Sequence, residues 1–334
     1  MITSIIINKK NKIPIFLQLA EGIENFIFDN ETLKGFRLPS VTAMAEYYNI
    51  SRDTVLQSYE LLCEKGMVEA RYRKGYYVKR RQRMTQHNIF LLFDELNSFK
   101  EDLYQSFIKN IGKKSRCDIF FHHYNLQQFK RLIEDENGNY SHYVIMPGNM
   151  SGTESSIAKL PDKKVYLLDQ TNEKLKKYPA VFQNFKKIVY DGLVESFVHL
   201  KKYKSITLIY PKRIDYPSSL QEGFEAFCKD YKLLYQVYEH FEEVLIKKYH
   251  SYFIVNDNDL ISFILATQKR KLIIGNEIGI ITYNDHAFKQ VVAGGITTIS
   301  TDFTEMGRNI AQMLLLQKNE QVENPGKLIL RKSL

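Results

Sequence analysis

Six apolar runs in the C-terminal three quarters of this chain each end in side chains suited to holding a hydroxylated ligand. Asp94, Glu95 and Asn97 follow the first, Asn149 the second, and Asp169 with Gln170 the third. Arg213 follows the fourth, Asn256 with Asp257 the fifth, and Asn284 with Asp285 the sixth. Amides and carboxylates pair with hydroxyls, and a ring such as Phe99 covers the apolar face of a sugar. Any one of these residues serves equally well as a helix N-cap. Their joint placement after successive apolar runs is what points to a ligand.

A second constellation has different chemistry. Arg52, Asp53 and Thr54 follow Ser51, and residues 71–83 hold seven Lys or Arg with no acid before Asp94. An Arg guanidinium can chelate guanine O6 and N7, which gives about 1 to 3 kcal/mol of discrimination. Thr54 and Gln57 suit phosphate, a contact that positions without specifying. Residues 1–83 carry 14 basic and 9 acidic side chains, so +5 of the chain's +9 lies in its first quarter. That concentration fits a polyanionic partner, duplex DNA.

The elements that must position these groups can be read from spacing. Ile15 begins a helix with Phe16, Leu19, Ile23, Phe26 and Ile27 as its apolar stripe. Ser40 caps a second helix carrying Val41, Met44 and Ala45, and Asn49 fits the turn after it. Ser51 caps a third helix with Val55, Tyr59 and Leu62, which Gly66 ends. Strands over 68–71 and 76–78 flank a tip of Arg73, Lys74 and Gly75. This is the layout of a winged helix-turn-helix, an α+β unit that binds duplex DNA.

From residue 88 the texture becomes apolar runs alternating with amphipathic stretches, the pattern of an α/β domain with parallel strands. Strands are expected over 88–93, 118–122, 143–146, 165–168, 188–190, 205–210, 252–255 and 279–283. Helices are expected over 99–111, 126–134, 192–203, 220–231, 259–268 and 302–317. Open α/β sheets bind ligands beyond the carboxyl ends of their strands, which is where the six polar clusters fall.

Other classes are disfavoured. Three scattered cysteines, Cys63, Cys117 and Cys228, support neither a disulfide framework nor a zinc knuckle and fit a reducing cytoplasm. No signal peptide and no run of 18 apolar residues is visible, so no membrane role is expected. Adjacent His122 and His123 point to opposite faces of a strand and cannot ligate one metal. No metal, cofactor or catalytic set is assigned. The glycine loop PGNMSG at 147–152 lacks phosphate-loop spacing and is expected to be a cleft wall.

The segments IPIFLQLAEGIENFI, LKGFRLPS, NISRDTV and EKGMVEARYRKGYYV, in that order, resemble the DNA-binding domain of GntR-type bacterial regulators. The resemblance covers about the first 80 residues. It implies a homodimer whose recognition helices enter adjacent major grooves of a pseudo-palindromic operator. On it Arg37, Ser40, Thr42, Ser51, Arg52, Asp53, Thr54 and Gln57 face DNA, and Arg73, Lys74 and Gly75 form the wing's contact, with Lys74 and Gly75 reaching the minor groove. Val41, Thr42 and Leu56 depart from the family pattern, in which charged residues are common at those positions.

A second resemblance covers about 88–334. LNSFKEDLYQSF, VYLLDQ, SLQEGFEAF, FIVNDND, EIGIITYND, ITTISTDFTEMGRNIAQMLL and LILRKSL resemble the effector domain of LacI-type repressors and periplasmic sugar-binding proteins. It implies two Rossmann-like subdomains, about 88–187 plus 300–318 and about 188–299 plus 319–334, behind a basic linker at 81–87. A GntR-type head on a LacI-type body resembles the arabinose-repressor class. The family's ligand positions fall on Asn97, Phe99, Asp169, Gln170, Asn256 and Asn284, with Arg213 and Asp285 added as nearby candidates. Gln170 and Asn284 replace charged residues of the pattern, and Leu220 and Gln221 stand where an Arg is usual before Gly223. Arg213 or Asp215 is expected to compensate.

The expectation is a cytoplasmic, dimeric regulator that represses sugar-utilisation genes and responds to a small neutral sugar of fucose or arabinose type. Its rivals are a sugar-modifying enzyme, in which Asp94, Asp169 or Asp285 would act, and a ligand-independent dimerisation scaffold.

Overall fold

The computed structural model describes residues 5–9, 13–29, 35–79, 87–112, 115–212 and 216–334. The chain divides into two compact units, Met1–Gln86 and His87–Leu334. The expected linker falls on residues outside this description except for His87, which opens the first strand of the second unit.

In the first unit, α1 (Ile15–Asp29), α2 (Val41–Tyr48) and α3 (Arg52–Glu64) precede a hairpin of β1 (Val68–Arg71) and β2 (Gly75–Val78). Ser40 Oγ accepts from the Ala43 amide and Ser51 Oγ from the Thr54 amide, both at 3.1 Å, so two serines satisfy donors that each helix start leaves open. Asn49 ends α2 in the left-handed conformation, φ 49°, which its short polar side chain tolerates. Leu19, Ile23 and Ile27 of α1 meet Met44, Val55, Tyr59 and Leu62, closing one buried core under the hairpin's Val68 and Val78. The stripe at spacings of three and four thus becomes packing, and the polar faces of α2 and α3 stay outside.

The second unit begins with β3 (His87–Phe93), α4 (Ser98–Ile111), β4 (Ser115–Phe121), α5 (Leu126–Asp135), β5 (His142–Ile145), α6 (Thr153–Ile157), β6 (Val165–Asp169) and β7 (Ala180–Phe182). It continues with α7 (Phe185–Leu200), β8 (Ile206–Ile209), α8 (Ser219–Asp230), β9 (Tyr235–Tyr238), β10 (His250–Ile254), α9 (Asp257–Lys269), β11 (Ile278–Tyr283), α10 (Ala287–Val291) and β12 (Thr297–Thr301). It closes with α11 (Phe303–Leu315), β13 (Gln321–Glu323) and β14 (Gly326–Ile329). The first sheet has the order β13-β7-β6-β5-β3-β4, all parallel. The second has the order β14-β12-β11-β10-β8-β9, parallel except for β14. Helices flanking the parallel strands bury both sheet faces, which is why strands such as β6 and β11 are mostly apolar and buried along their whole length.

The chain passes between the sheets three times: after β7, after β12, and between β13 and β14. The crossings are tied together. Asn324 Nδ2 donates to the Asp302 carbonyl at 2.9 Å, the Asn324 amide donates to the Phe182 carbonyl at 2.8 Å, and the Asp302 amide donates to Pro325 at 3.0 Å. Helix α11 follows the second sheet in sequence yet packs on α4 of the first. A Cβ on Gly307 would lie 2.3 Å from the Leu103 carbonyl, so only glycine admits this approach.

Two expectations differ from the structure. Residues 188–190 are helical, inside α7, because Ile188, Val189, Leu193, Ser196 and Leu200 form one buried face at helical spacing. The last crossing comes at 324–325 and not near 318, because β13 pairs in parallel with β7 and so remains in the first sheet.

Candidate ligand cleft and nucleic-acid interface

The strand ends of both sheets open on one cavity of about 230 Å³. The turn from β3 into α4 supplies Asp94, Glu95, Asn97, Phe99 and Lys100, and the end of β6 supplies Asp169 and Gln170. From the second sheet come Val255 to Asn258 after β10 and Tyr283 with Asn284 at the end of β11. Gln183 and Phe185, in the first crossing, complete the floor. Asn97, Phe99, Asp169, Gln170, Asn256 and Asn284 are therefore brought together. Asp285 is not among them, because Arg331 grips both of its oxygens at 2.7 Å and Thr298 Oγ1 donates at 3.1 Å. Burial pushes the Asp285 carboxyl up, but the Arg331 bonds outweigh it and hold the group below its ordinary value. Arg213 and Asp215 lie outside the described residues.

Asn97 and Asn256 do two jobs. Asn97 Oδ1 accepts from the Lys100 amide at 3.1 Å and its Nδ2 donates to Glu95 Oε1. Asn256 Oδ1 accepts from the Asn258 and Asp259 amides, and its Nδ2 donates to Tyr216 Oη at 3.0 Å. N-cap and cleft wall are thus the same residues, and the cap fixes the side chain before any ligand arrives. Phe99 lines the cavity and stacks on Phe303 of α11, with ring centroids 4.8 Å apart.

The residues that spacing did not disclose are the buried charges. Lys100 is ion-paired with Asp94, both almost fully buried. Asp94 also accepts from Tyr124 Oη at 2.9 Å and from the Glu95 amide at 2.7 Å. Lys289, 1% exposed, pairs with Asp257 at 2.8 Å and donates to the carbonyls of Tyr283 and Asn284, each at 2.8 Å. Burial lowers the Lys289 pKa, and Asp257 opposes that shift. Those two carbonyls explain the position of Asn284, whose φ of 57° aims its side chain inward. Asn284 Oδ1 is buried in the cleft wall with no hydrogen-bond partner. An unpaired buried acceptor costs about 1 to 3 kcal/mol, so this atom awaits a donor.

Asp169 is the second polar group of the wall, and it is held by a bond from the crossing. Its φ is 72°, and Gln183 Nε2 donates to it while Gln183 Oε1 accepts from Tyr283 Oη at 3.1 Å. This chain of bonds runs from the first sheet through the crossing to the second. Burial raises the Asp169 pKa, with Lys100 opposing and Asp94 reinforcing the shift. His122 is spent on structure: its Nε2 bonds the Met146 carbonyl at 3.0 Å and its Nδ1 accepts from the Tyr124 amide. Among the described residues no three His, Cys, Asp or Glu side chains converge as metal ligands, and no helix is long and apolar enough to cross a membrane.

In the first unit, the exposed face of α3 presents Arg52, Asp53, Leu56 and Gln57. No ion pair holds Arg52 among the described residues. Ser51 and Thr54 are joined through their hydroxyls at 2.7 Å, and Ser40 and Ser51 are engaged as caps. Thr42 lies in the first turn of α2, whose exposed side is polar. Arg37 lies against the hairpin, since a Cβ on Gly75 would meet its guanidinium at 3.3 Å. At the wing tip Arg73 adopts φ 57° and sets its guanidinium 5.1 Å from the Tyr72 ring, which is 84% exposed. Lys74 and Gly75 complete the tip.

Residues 16–78 match the profile of the bacterial regulatory proteins of the gntR family, and residues 194–334 match that of a periplasmic binding protein-like domain. The HTH-type transcriptional repressor NagR of Bacillus subtilis (strain 168) is 33% identical over 97 residues, 29% of this chain and 37% of that protein. The chain spans 30% to 54% of the length of the curated relatives it matches. Among solved structures, the trehalose repressor from Escherichia coli is similar with a TM-score of 0.62 at 15% identity, over 72% of this chain and 99% of that one. A LacI family regulator from Enterococcus faecium with bound ribose is similar with a TM-score of 0.59 at 17% identity, over 74% and 98%. These structural likenesses concern the fold of the second unit.

Proposed function

We propose that this chain, a gntR-type winged helix-turn-helix joined to a periplasmic-binding-protein-like domain, is a cytoplasmic transcriptional regulator controlled by a small neutral sugar. The observation that carries the reading is the unpartnered Asn284 Oδ1 in a cleft whose polar groups come from two sheets. Phe99 offers a ring face, Asn97, Gln170 and Asn256 offer amides, and Asp169 offers a carboxylate, the mixture that hydroxyl groups satisfy. A sugar bridging both sheets favours their approach, and closure is coupled to the head with a free energy of about 1 to 3 kcal/mol. The head acts as a homodimer on a pseudo-palindromic operator, with Arg52 reading a base and Arg73, Lys74 and Gly75 contacting the backbone or minor groove. Repression of sugar-utilisation genes, controlled allosterically by a fucose- or arabinose-like sugar, is the form this takes.

Catalysis is not assigned. Asp94 lines the cleft but is engaged by Lys100, Tyr124 and the Glu95 amide, and Asp285 is held by Arg331, so of the three candidate acids Asp169 is the one that lines the cleft without a salt bridge among the described residues. The reading is tested by a thermal-shift screen of the full chain against pentoses, 6-deoxyhexoses and hexoses. A ligand at 100 times its Kd adds about 2.7 kcal/mol of stability. Absence of a shift with every sugar sinks the sensor reading.

A further inference from the structure

The loop 147–152 and the segment 170–172 leave the carboxyl ends of the neighbouring strands β5 and β6. Between them lies a depression of about 160 Å³, lined by Asn149, Ser151, Glu154, Thr171 and Asn172 among others. Gln170 lines both this depression and the ligand cleft. We propose that the depression is a second sugar subsite, so that the effector is a disaccharide or longer glycoside whose fucose- or arabinose-like unit occupies the cleft and whose glycosidic link passes Gln170.

The inference rests on the sugar-sensing reading of the cleft and on four observations. Thr171 Oγ1, in the wall of the depression, is buried without a hydrogen-bond partner, as Asn284 Oδ1 is in the wall of the cleft. It can both donate to and accept from a hydroxyl. The rim is built before a ligand arrives: Glu154 Oε2 accepts from the Gly152 amide at 3.0 Å and its Oε1 from Asn172 Nδ2 at 3.3 Å. Gly148, at φ 64°, lets the loop backbone lie against Tyr124, which lines the first cavity; a Cβ there would sit 3.5 Å from that ring. Finally, no Lys, Arg or His among the described residues lines the depression, so an anionic substituent finds no counter-charge there, whereas hydroxyls find three amides, two hydroxyls and a carboxylate.

Isothermal titration of the full chain, wild type, Thr171→Val and Asn149→Ala, tests this with matched probes: glucose against maltose and cellobiose, and galactose against lactose and melibiose. One disaccharide is expected to bind at least tenfold tighter than its monosaccharide, and both substitutions are expected to erase most of that advantage while leaving the monosaccharide Kd unchanged. Monosaccharide and disaccharide binding equally, or a disaccharide advantage that survives both substitutions, overturns the second subsite and leaves the sugar sensor standing. If no sugar of either size binds, the sensor reading itself fails and the subsite fails with it.

Discussion

The winged head and the cleft of the second unit solve opposite problems with the same residue types. In the head, polar side chains are fixed by near neighbours: Ser40 bonds Ala43 and Ser51 bonds Thr54, each three residues on, while Arg52 is left exposed. In the cleft, partners come from far along the chain. Tyr124 and Asp94 are 30 residues apart, and Tyr283 and Gln183 are 100 apart. A surface site can therefore lose its functional side chain and keep its fold, whereas a cleft made of mutually dependent buried charges cannot. This contrast sets the expected size of every substitution.

The largest effect is expected at Lys100. Lys100→Met strands Asp94 in a site where both partners are nearly inaccessible, and removing one member of such a pair costs about 3 to 5 kcal/mol. The urea midpoint of the second unit's transition is the measure, and a loss below about 1 kcal/mol would break the contrast. Lys100→Met combined with Asp94→Leu should cost less than the sum of the two single changes, because no lone charge remains. Arg52→Ala is the counterpart in the head. It should weaken cognate operator binding by about 1 to 3 kcal/mol in a gel-shift titration and move the melting curve by no more than about 0.5 kcal/mol. Unchanged operator affinity would remove Arg52 from the base-reading role.

The same contrast explains what could be read from sequence. Caps, turn residues and helical stripes are local, so the three helices of the head and its hairpin were legible, as were most strands of the second unit. The strand expected at 188–190 became part of α7 because Ile188-Val189-Tyr190 is a short apolar run that periodicity alone cannot assign, and the Asn184 cap, which accepts from the Lys187 amide, was overlooked. Asp94, Glu95, Asn97, Asp169, Gln170, Asn256, Asp257 and Asn284 of the cleft were legible because they follow apolar runs, and Phe99 because a ring beside them suits a sugar face. Lys100 and Lys289 were not, since a lysine inside a helix looks solvated until the fold sets a carboxylate or two carbonyls against it. Tyr124, Gln183 and Tyr283 escaped for the same reason: their roles exist only between distant segments. Asp285 was drawn in by its place beside Asn284, and its partner Arg331 lies 46 residues away.

Asp169 lets pH sharpen the comparison. Its carboxyl is raised by burial, so the folded state holds the proton more tightly than the unfolded chain. The stability this contributes is fully present below the unfolded value of about 3.9 and is lost as pH rises through the raised folded value. Asp169→Asn cannot titrate, and asparagine tolerates φ 72° well. The variant should gain stability relative to the wild type between pH 4 and pH 7 while losing sugar affinity. An equal stability difference at both pH values would show that the carboxyl does not titrate with folding.

The smallest effect is expected at the wing tip, and it is the one place where the head imitates the cleft by holding a strained residue at a functional position. Arg73 carries φ 57°, a conformation that costs a non-glycine residue about 1 to 2 kcal/mol. Glycine would relieve that strain but would lose about 0.4 to 1 kcal/mol through the greater freedom of the unfolded chain. Arg73→Gly should therefore leave the stability of the head unchanged or raise it by up to about 1 kcal/mol. DNA affinity should move the other way, because the guanidinium braced on the exposed Tyr72 ring is removed. If that guanidinium meets phosphate, the slope of log K against log salt should fall by about 1 with sequence preference intact. If it enters a narrow minor groove, the preference for A·T-rich flanks should shrink as well. A variant that is more stable and binds every DNA as the wild type does would mean that the strain at Arg73 serves nothing on the DNA side. The head would then keep its function wholly on α3, with no strained residue in service.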